Sequence, residues 1–457
     1  MKIIILGGNQ VGGTLAENLV NEQHDVTVID TDNEKLQRLQ LRLDLNTLCG
    51  SASYPSVLKR AGADDADMLI AVTNNDEVNL VACQVAHSLF NMPTKIARIR
   101  SPEYFKFPQL FGKDALPVDV FISPEQLVTT YIERLIEHPG ALQVLDFADG
   151  RLKLVAIKPF FGGPLVGKTI DALRQDLNIE FRIVAIYRRN HAILPTGDTV
   201  IEIGDEVFFL AEETKIRKVM GALRRLDQPH KRVILAGAGN IGVTLVKALE
   251  LRYDVKVIEH NPERAERLAA ELSRATVLCG DVSDRDLLLN ENIESTDVFC
   301  AVTDDDEANI MACMLAKNLG VRTVMALIKR TVYVDLIESS SIDIAISPQQ
   351  ATISSILRYV RRGDILNVHS LRRGAAEAIE IVAHGDEGTS RVIGRSIRDI
   401  KLPHGAMIGA IVRDDKVLMG KKQLVIEPED RVILFLVNRK KVRDVEKLFQ
   451  VSIGFFG

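Results

Sequence analysis

Short apolar runs alternate with amphipathic stretches along the first hundred residues of the chain. Apolar runs lie at Ile3–Leu6, Asp25–Ile29 and Met68–Val72, and apolar residues at helical spacing fill Gly13–Glu22 and Glu77–Phe90. Strands that are apolar without alternation are typical of a parallel sheet covered by helices on both faces. The pattern therefore predicts repeated β-α-β units that build a doubly wound, Rossmann-like parallel sheet.

The whole pattern occurs twice, at an offset of about 230 residues. Between Leu69–Cys83 and Phe299–Cys313, eight of the fifteen positions are identical. Ser123-Pro124 recurs as Ser347-Pro348, and each pair precedes an amphipathic helix and then short strands with turns. A period this long indicates duplication of a whole unit and not a solenoid. We predict an α/β fold with two tandem Rossmann-like domains, each followed by a crossover helix and a small α+β C-terminal module.

The predicted division of the chain follows the changes in this pattern. The ranges are 1–123 and 231–347 for the Rossmann domains, 124–140 and 348–364 for the crossover helices, and 141–227 and 366–453 for the C-terminal modules. A polar joint, Asp227–His230, separates the halves. Because each crossover helix lies between two domains, we expect its apolar stripe to pack on something outside the Rossmann sheet.

Each half carries a glycine-rich turn between a predicted strand and a predicted helix. In the first half the turn consists of Gly7, Gly8, Asn9, Gln10, Val11 and Gly12; in the second it consists of Gly237, Ala238, Gly239, Asn240, Ile241 and Gly242. Such turns place a dinucleotide pyrophosphate at a helix N-terminus, with the middle glycine giving the phosphates access to the backbone. Asn9 replaces that glycine in the first turn and is expected to crowd the pyrophosphate.

An acidic residue ends the second strand of each half. Asp30 and Glu259 are placed to accept hydrogen bonds from ribose hydroxyls and to repel a 2′-phosphate, which favours NAD over NADP. Two turns with acids at matched spacing make a stronger signal than one isolated motif. The alternative interpretation is that both are tight strand-to-helix turns without a ligand.

Polar residues follow the fourth predicted strand of each half, where ligands bind open parallel sheets. These residues are Thr73 and Asn74 in the first half and Thr303 and Asp304 in the second. Their other interpretation is helix N-capping by the residues that follow. Arg98, at the end of the fifth strand, could pair with a phosphate. Its counterpart is Leu327, while Asp281 in place of Ser51 adds an acid to the second site, so the two sites are not chemically equal.

Composition and the remaining motifs narrow the function. The chain is 46% apolar and 26% charged, as in soluble globular proteins, and no apolar run approaches the roughly 20 residues that span a bilayer. A net charge of −5 gives no electrostatic case for nucleic acid, and we interpret the basic clusters Arg361-Arg362 and Arg439–Lys441 as solvated surface. Met1 leads directly into a strand, which argues against a signal peptide. The cysteines and histidines lack ligand spacing, so no metal is predicted.

The sequence predicts no catalytic residue. A dehydrogenase needs a substrate domain that presents an acid or base to the nicotinamide, and the small repeated modules carry no histidine or lysine at matched positions for that role. We therefore predict a nucleotide that is sensed and not turned over. Two other hypotheses remain: an NAD-dependent oxidoreductase, and a stand-alone nucleotide sensor without a membrane partner.

The chain resembles the TrkA family of potassium-uptake regulatory proteins, which carry tandem domains that regulate potassium conductance. The resemblance covers essentially the whole chain and includes Lys2–Gly7, Asp30, Ala71–Thr73, Ala97–Arg100 and both C-terminal modules. It implies a cytosolic homotetramer, peripheral to the inner membrane, whose ring docks on a membrane potassium channel subunit of the Trk type. It also implies that NAD(H), ATP and ADP bind the Rossmann sites and alter the ring, and that the serine-proline helices are crossover helices at dimer interfaces. The departures at Asn9 and Leu327 argue against equal occupancy of the two sites.

Overall fold

The computed structural model describes residues 1–112, 115–177, 179–189, 191–223, 229–337, 341–361, 365–371, 376–438 and 441–451. Positions 227, 228, 362, 439 and 440, which belong to the predicted joint and basic clusters, lie outside them. The chain divides into two compact units. The first unit contains Met1–Leu127 and Gln349–Val360; the second contains Val128–Pro348 and the chain from Arg361 onward.

The first half begins with a parallel sheet, as predicted, and the strand order of this sheet is β3-β2-β1-β4-β5-β6. Its elements are β1 (Lys2–Leu6), α1 (Gln10–Asn21), β2 (Asp25–Asp30), α2 (Asn33–Gln40), β3 (Asn46–Cys49), α3 (Pro55–Arg60), β4 (Met68–Ala71), α4 (Asp76–Phe90), β5 (Thr94–Arg98), α5 (Pro102–Phe105) and β6 (Val120–Ile122). Helix α1 starts three residues before the predicted Gly13, because Asn9 caps it from the glycine turn.

A crossover helix and an antiparallel sheet follow. They comprise α6 (Pro124–Glu137), β7 (Ala141–Phe147), β8 (Leu152–Ile157), α7 (Ile170–Leu177), β9 (Phe181–Arg188), β10 (His191–Ile193), β11 (Glu206–Glu212) and α8 (Glu213–Leu223). The strand order is β10-β9-β11-β8-β7. We call this antiparallel sheet with its helices the first module.

The second half repeats both sheets. The parallel sheet has the order β14-β13-β12-β15-β16-β17. Its elements are β12 (Arg232–Ala236), α9 (Asn240–Leu249), β13 (Asp254–Glu259), α10 (Pro262–Glu271), β14 (Thr276–Cys279), α11 (Arg285–Asn290), β15 (Val298–Ala301), α12 (Asp306–Asn318), β16 (Thr323–Leu327), α13 (Thr331–Ile337) and β17 (Ile344–Ile346).

The second crossover helix and the second module complete the described chain. Their elements are α14 (Pro348–Val360), β18 (Ile365–Leu371), β19 (Ala376–Val382), β20 (Ala406–Arg413), β21 (Lys416–Met419), β22 (Arg431–Leu436) and α15 (Val442–Phe449). The sheet order β21-β20-β22-β19-β18 matches that of the first module strand for strand. Over the described ranges, no helix has both the length and the apolar character needed to cross a bilayer.

The crossover helices are exchanged between the halves. In the first unit, Ile353, Ile356 and Leu357 of α14 are buried in one core with Ile3 and Val28 of the first parallel sheet. In the second unit, α6 is buried in one core with the second parallel sheet through Val128, Ile132, Leu135 and Ile136. Each apolar stripe therefore packs on a Rossmann sheet after all, but on the sheet of the other copy.

The two antiparallel sheets of the second unit pack against each other. Their shared core includes Phe147 and Phe208 of the first module and Leu371, Ala378 and Phe435 of the second. Within each module the same ion pair with a buried aspartate joins the end of one strand to the start of the strand beside it. In the first module Arg188 Nε lies 2.8 Å from Asp205 Oδ1, and in the second Arg413 Nε lies 2.8 Å from Asp430 Oδ1. These pairs fix which positions of the two modules correspond.

His369 lies inside this interface. Its Nε2–H donates to the carbonyl oxygen of Asp146 at 3.0 Å, and its ring meets Phe147 edge-on with centroids 5.0 Å apart. Burial lowers the pKa of His369 to about 4, and the charge of Arg134 acts in the same direction. The imidazole is therefore neutral in the folded protein near neutral pH.

Acid should weaken the module interface through His369. Because the folded pKa lies below the ordinary value of 6.5, the unfolded chain binds more protons between about pH 4 and pH 6.5, so stability falls as pH drops through that window. Replacing His369 with Gln, which keeps an N–H donor, should reduce the slope of unfolding free energy against pH by up to about 1.4 kcal/mol per pH unit. Thermal unfolding at several pH values from 7 to 5 measures this slope.

His404→Gln is the control, because His404 is exposed. Equal slopes in the unaltered protein, His369→Gln and His404→Gln would contradict the assignment of this pH dependence to His369.

Candidate functional site

Both glycine turns leave their strand in the same conformation with positive φ. Gly7 and Gly237 have φ values of 102° and 104°, which glycine adopts readily and other residues do not. A Cβ at Gly12 or Gly242 would collide with the carbonyl oxygen of Gly7 or Gly237. First and last glycines are thus required by the backbone of the turn itself.

The predicted acids hold these turns in place. Asp30 Oδ2 accepts a hydrogen bond from the Gly8 amide at 2.6 Å, and Glu259 Oε2 accepts one from the Ala238 amide at 2.8 Å. The other carboxylate oxygen accepts the amide of Asp32 in the first half, at 2.9 Å, and of Asn261 in the second, also at 2.9 Å. Turn and acid therefore meet at the carboxyl edge of each sheet, as the spacing predicted.

The middle position distinguishes the two turns. Asn9 Oδ1 accepts from the Gly12 amide at 3.1 Å, and Asn9 Nδ2 donates to the Val72 carbonyl oxygen at 2.8 Å. At Gly239 a Cβ would have no atom within 4 Å, and α9 begins without a side-chain cap. The first turn thus occupies one of its amides with its own side chain, whereas the second leaves open space at the helix start.

The remaining predicted positions of the turns lie in the first helical turn. Gln10 and Asn240 are exposed, Val11 is buried and Ile241 is half-buried. Helix N-termini of this kind carry free amides and a partial positive charge, which suit a phosphate group. Each turn therefore presents backbone and not side chains to an anion.

A buried asparagine organises the strand end beside each turn. Asn79 Oδ1 accepts from the Thr73 amide at 3.1 Å and from Thr73 Oγ1 at 2.7 Å, while Asn79 Nδ2 donates to the Arg98 carbonyl oxygen at 2.8 Å. Asn309 makes the same three bonds with Thr303 and Leu327. The sequence interpretation missed both asparagines, although they are identical polar residues on otherwise apolar helix faces of the repeat.

The cation at this rim differs between the copies. Arg98 is buried and donates to the Thr73 carbonyl oxygen at 2.7 Å and to Asn74 Oδ1 at 2.9 Å, and its Nε has no hydrogen-bond partner. Burial lowers the pKa of Arg98. In the second copy Leu327 is buried at that position, and Lys329 Nζ instead contacts Asp304 Oδ1 at 2.8 Å. Lys329 was not among the predicted residues, because only the spatial arrangement brings it to the rim.

Asp281 lies near the same edge, as predicted, but it is engaged locally. Its Oδ1 accepts the Ser283 amide at 2.8 Å and Ser283 Oγ at 2.7 Å, and the backbone hydrogen bond is the main cause of its lowered pKa. Ser51, its counterpart, lies 3.3 Å from Ser53, oxygen to oxygen.

Three thiols lie inside the parallel-sheet domains. Burial raises the pKa of Cys83 and of Cys300 to about 12 and raises that of Cys313 as well. A thiol with such a pKa is protonated at neutral pH and is a poor nucleophile. Each sheet edge itself brings together backbone amides at a helix start, a carboxylate and a cation, Arg98 in the first half and Lys329 in the second.

Comparison with known proteins places this arrangement in a class. The TrkA-N domain model matches residues 3–124 and 233–348, and the TrkA-C domain model matches 154–224 and 387–450. A solved structure described as the GsuK channel bound to NAD is 17% identical, covers 98% of this chain and 78% of its own, and has a TM-score of 0.60. The GsuK RCK domain is 18% identical, with coverage of 97% and 94% and a TM-score of 0.60. The chain is thus a tandem TrkA-N/TrkA-C protein with the RCK-type fold.

Curated relatives narrow the class to a family. The Trk system potassium uptake proteins TrkA of Halomonas elongata and Vibrio alginolyticus are each 57% identical over 457 residues, covering 100% of both chains. The corresponding protein of Haemophilus influenzae is 49% identical with the same coverage. The chain belongs to this TrkA family of potassium uptake proteins, as its sequence pattern suggested.

The second turn allows a matched test of the two glycine roles. Gly242→Ala should destabilise the protein by about 1–3 kcal/mol, because the methyl group meets the Gly237 carbonyl oxygen. Gly239→Val should leave the unfolding midpoint nearly unchanged, since φ at Gly239 is −71° and the space beside it is open. Thermal unfolding of the full chain distinguishes them. Equal destabilisation by both substitutions would show that Gly239 also serves the fold.

Proposed function

We propose that the chain is a regulatory subunit of a potassium uptake system of the Trk type and senses nucleotides at its two glycine turns. One observation carries the proposal: both copies keep the turn, with its acid hydrogen-bonded to the turn amide, at the carboxyl edge of a parallel sheet. Ligands bind open α/β sheets at that edge. Membership of the TrkA family and the likeness to a channel described as bound to NAD support the same function.

The residues fit a dinucleotide or an adenine nucleotide. Pyrophosphate would lie at the N-termini of α1 and α9, and Asp30 and Glu259 would accept hydrogen bonds from ribose hydroxyls. The open space beside Gly239 is the cradle that a larger residue would fill. Thr73, Asn74 and Arg98 in the first site, with Thr303, Asp304 and Asp281 in the second, would line the rest of the pocket. NAD(H), ATP and ADP are the proposed ligands.

The two sites prefer different ligands in this proposal. Arg98 puts a buried guanidinium with an unpartnered Nε at the first site, where an additional phosphate could pair with it. The second site has Leu327 there, and its nearest rim cation, Lys329, is already paired with Asp304. We therefore assign the more highly charged ATP or ADP to the first site and NAD(H) to the second, whose turn is unobstructed.

Binding without turnover is the second part of the proposal. The side chains at each turn and at the neighbouring strand end include the acid, the threonine and the asparagine that binds the threonine, and in this proposal they bind and orient the nucleotide without transferring a proton. The competing hypothesis is an NAD-dependent oxidoreductase. Steady consumption of NAD(H) by the purified protein with a small substrate would favour that enzyme.

The third part of the proposal concerns the partner. The chain would act as a homotetramer in the cytosol, peripheral on the cytosolic face of the inner membrane, and dock on a membrane potassium channel subunit of the Trk type. A nucleotide can change the channel only through different affinities for two states of the assembly. A stand-alone sensor is the remaining alternative, favoured if the protein recovered from membranes carries no transporter.

Single-site variants should separate the two sites by calorimetry. Asp30→Asn removes the charge that would accept ribose hydroxyls, so affinity at the first site should fall about 10- to 100-fold, as for loss of a charge-assisted hydrogen bond. Gly239→Val should lower affinity at the second site while the first keeps its value. Asp32→Asn is the matched control, because Asp32 lies two residues from Asp30 and caps the N-terminus of α2. An unchanged first-site affinity in Asp30→Asn would contradict the ribose-binding role of Asp30.

Flux through the partner tests the regulatory role. Purified protein added to vesicles that contain a Trk-type channel should make potassium flux depend on ATP, ADP or NAD(H). Gly239→Val should alter the NAD(H) response and spare the ATP response. Flux that is the same with and without every nucleotide, although the protein binds them, would contradict the proposal.

A further inference from the structure

The two modules carry the same β-bulge at corresponding positions. Where β9 pairs with β11, Ala185 is opposite Phe208 and Ile183 is opposite Phe209, so Val184 between them is the extra residue of the bulge. Opposite β22, the register of β20 skips Gly409, which lies between the partners of Ile433 and Leu434. The duplicated bulge thus holds valine in the first module and glycine in the second.

The two bulges meet across the interface between the modules. A Cβ at Gly409 would lie 3.0 Å from Cγ1 of Val184 and would collide with Cδ1 of Leu210, and both side chains are buried. Gly409 is not among the glycines with positive φ, so its backbone would accept another residue. The close approach of the first module thus leaves little room for a side chain at position 409.

A second contact of the interface is equally one-sided. Both carboxylate oxygens of the fully buried Glu380 accept the Ala148 amide, at 3.2 Å. Arg431 joins the same cluster, because its Nε donates to Glu380 Oε1 and its Nη1 donates to Asp149 Oδ2, each at 2.6 Å. Ala148 and Asp149 both have left-handed φ values, 50° and 55°, a conformation that alanine rarely adopts without support. The strand registers make Ala156 the counterpart of Glu380, so the first module offers no carboxylate in return.

A third contact lies at the end of β21. Arg182 donates to the carbonyl oxygen of Gly420, and Lys421 Nζ lies 3.1 Å from Glu180 Oε1. The counterpart of Arg182 is Met407, because these residues pair with Leu210 and Phe435 at equivalent strand positions. The reverse contact, from the second module to the first, therefore lacks a donor.

We propose that these contacts make the modules a heterologous pair, in which the first module fits the second and does not fit another copy of itself. Pairing two first modules would bring Val184 against Val184 and leave the Ala148 amide without Glu380. Pairing two second modules would place two glycines together and leave a cavity. In an assembly of several copies, chains would then meet through surfaces other than this one, or exchange modules only as first with second.

Exchanging valine and glycine in the full chain tests the steric part. Gly409→Val should lower the unfolding midpoint by about 5 °C through overpacking. Adding Val184→Gly should recover at least half of that shift, because Leu210 and the introduced valine can then use the space that Val184 occupied. Gly388→Val, where a Cβ meets only Asp386 at 3.4 Å, is the control and should be neutral. If the unfolding midpoint of the double variant falls by the sum of the shifts caused by Gly409→Val and by Val184→Gly alone, the fit across the bulges is not specific.

A chimeric chain tests the exclusion of self-pairing. Residues 365–451 are replaced by a second copy of 141–223, so that only two first modules are available. The chimera should unfold at a lower midpoint than the natural chain, and Val184→Gly in the inserted copy should raise that midpoint by several degrees. A chimera as stable as the natural chain, or one that Val184→Gly does not improve, would overturn the proposal.

Discussion

Each parallel sheet of this protein is completed by a helix from the other copy of the duplicated unit. Four apolar side chains of α14, Ile353, Ile356, Leu357 and Val360, lie in the core of the first sheet. Burial of such side chains contributes about 1.5–3 kcal/mol each, a large share of the net stability of a domain. Helix α6 completes the second sheet in the same way. The crossover helix of each copy covers the sheet of the other, so the two glycine turns belong to one interdependent chain.

The two copies of the duplicated unit are not chemically identical. The copies differ at the carboxyl edges of the parallel sheets and at the contact between the two modules. Asn9 against Gly239, and Arg98 against Leu327, alter the sheet edges without touching the carboxylate-to-turn hydrogen bonds. Val184 against Gly409 alters the module interface without touching the buried arginine–aspartate pairs. The interactions that both copies share hold the backbone, and in our proposals the diverged ones set specificity.

Local pattern predicted much of this architecture. Apolar strands, glycine turns and the acids Asp30 and Glu259 were placed correctly because they depend on residues close in sequence and on the repeat. The exchange of helices could not be read from the chain, since an apolar stripe does not say which sheet it covers. Lys329 and the asparagines Asn79 and Asn309 were missed because their roles depend on strand ends that meet only in the fold. The start of α1 was misplaced because Asn9 was interpreted as part of the turn and not as a helix cap.

The function that we propose rests on two nucleotide sites that bind and release their ligands unchanged. The most direct measurement is an equilibrium titration of the full chain with ATP and with NAD(H), followed by recovery of the nucleotides and their analysis by chromatography. We expect two nucleotides bound per chain at saturation, with different affinities for the two ligands, and complete recovery of intact ATP and NAD(H). One site per chain, or conversion of either nucleotide at a steady rate, would contradict the function proposed for this duplicated fold.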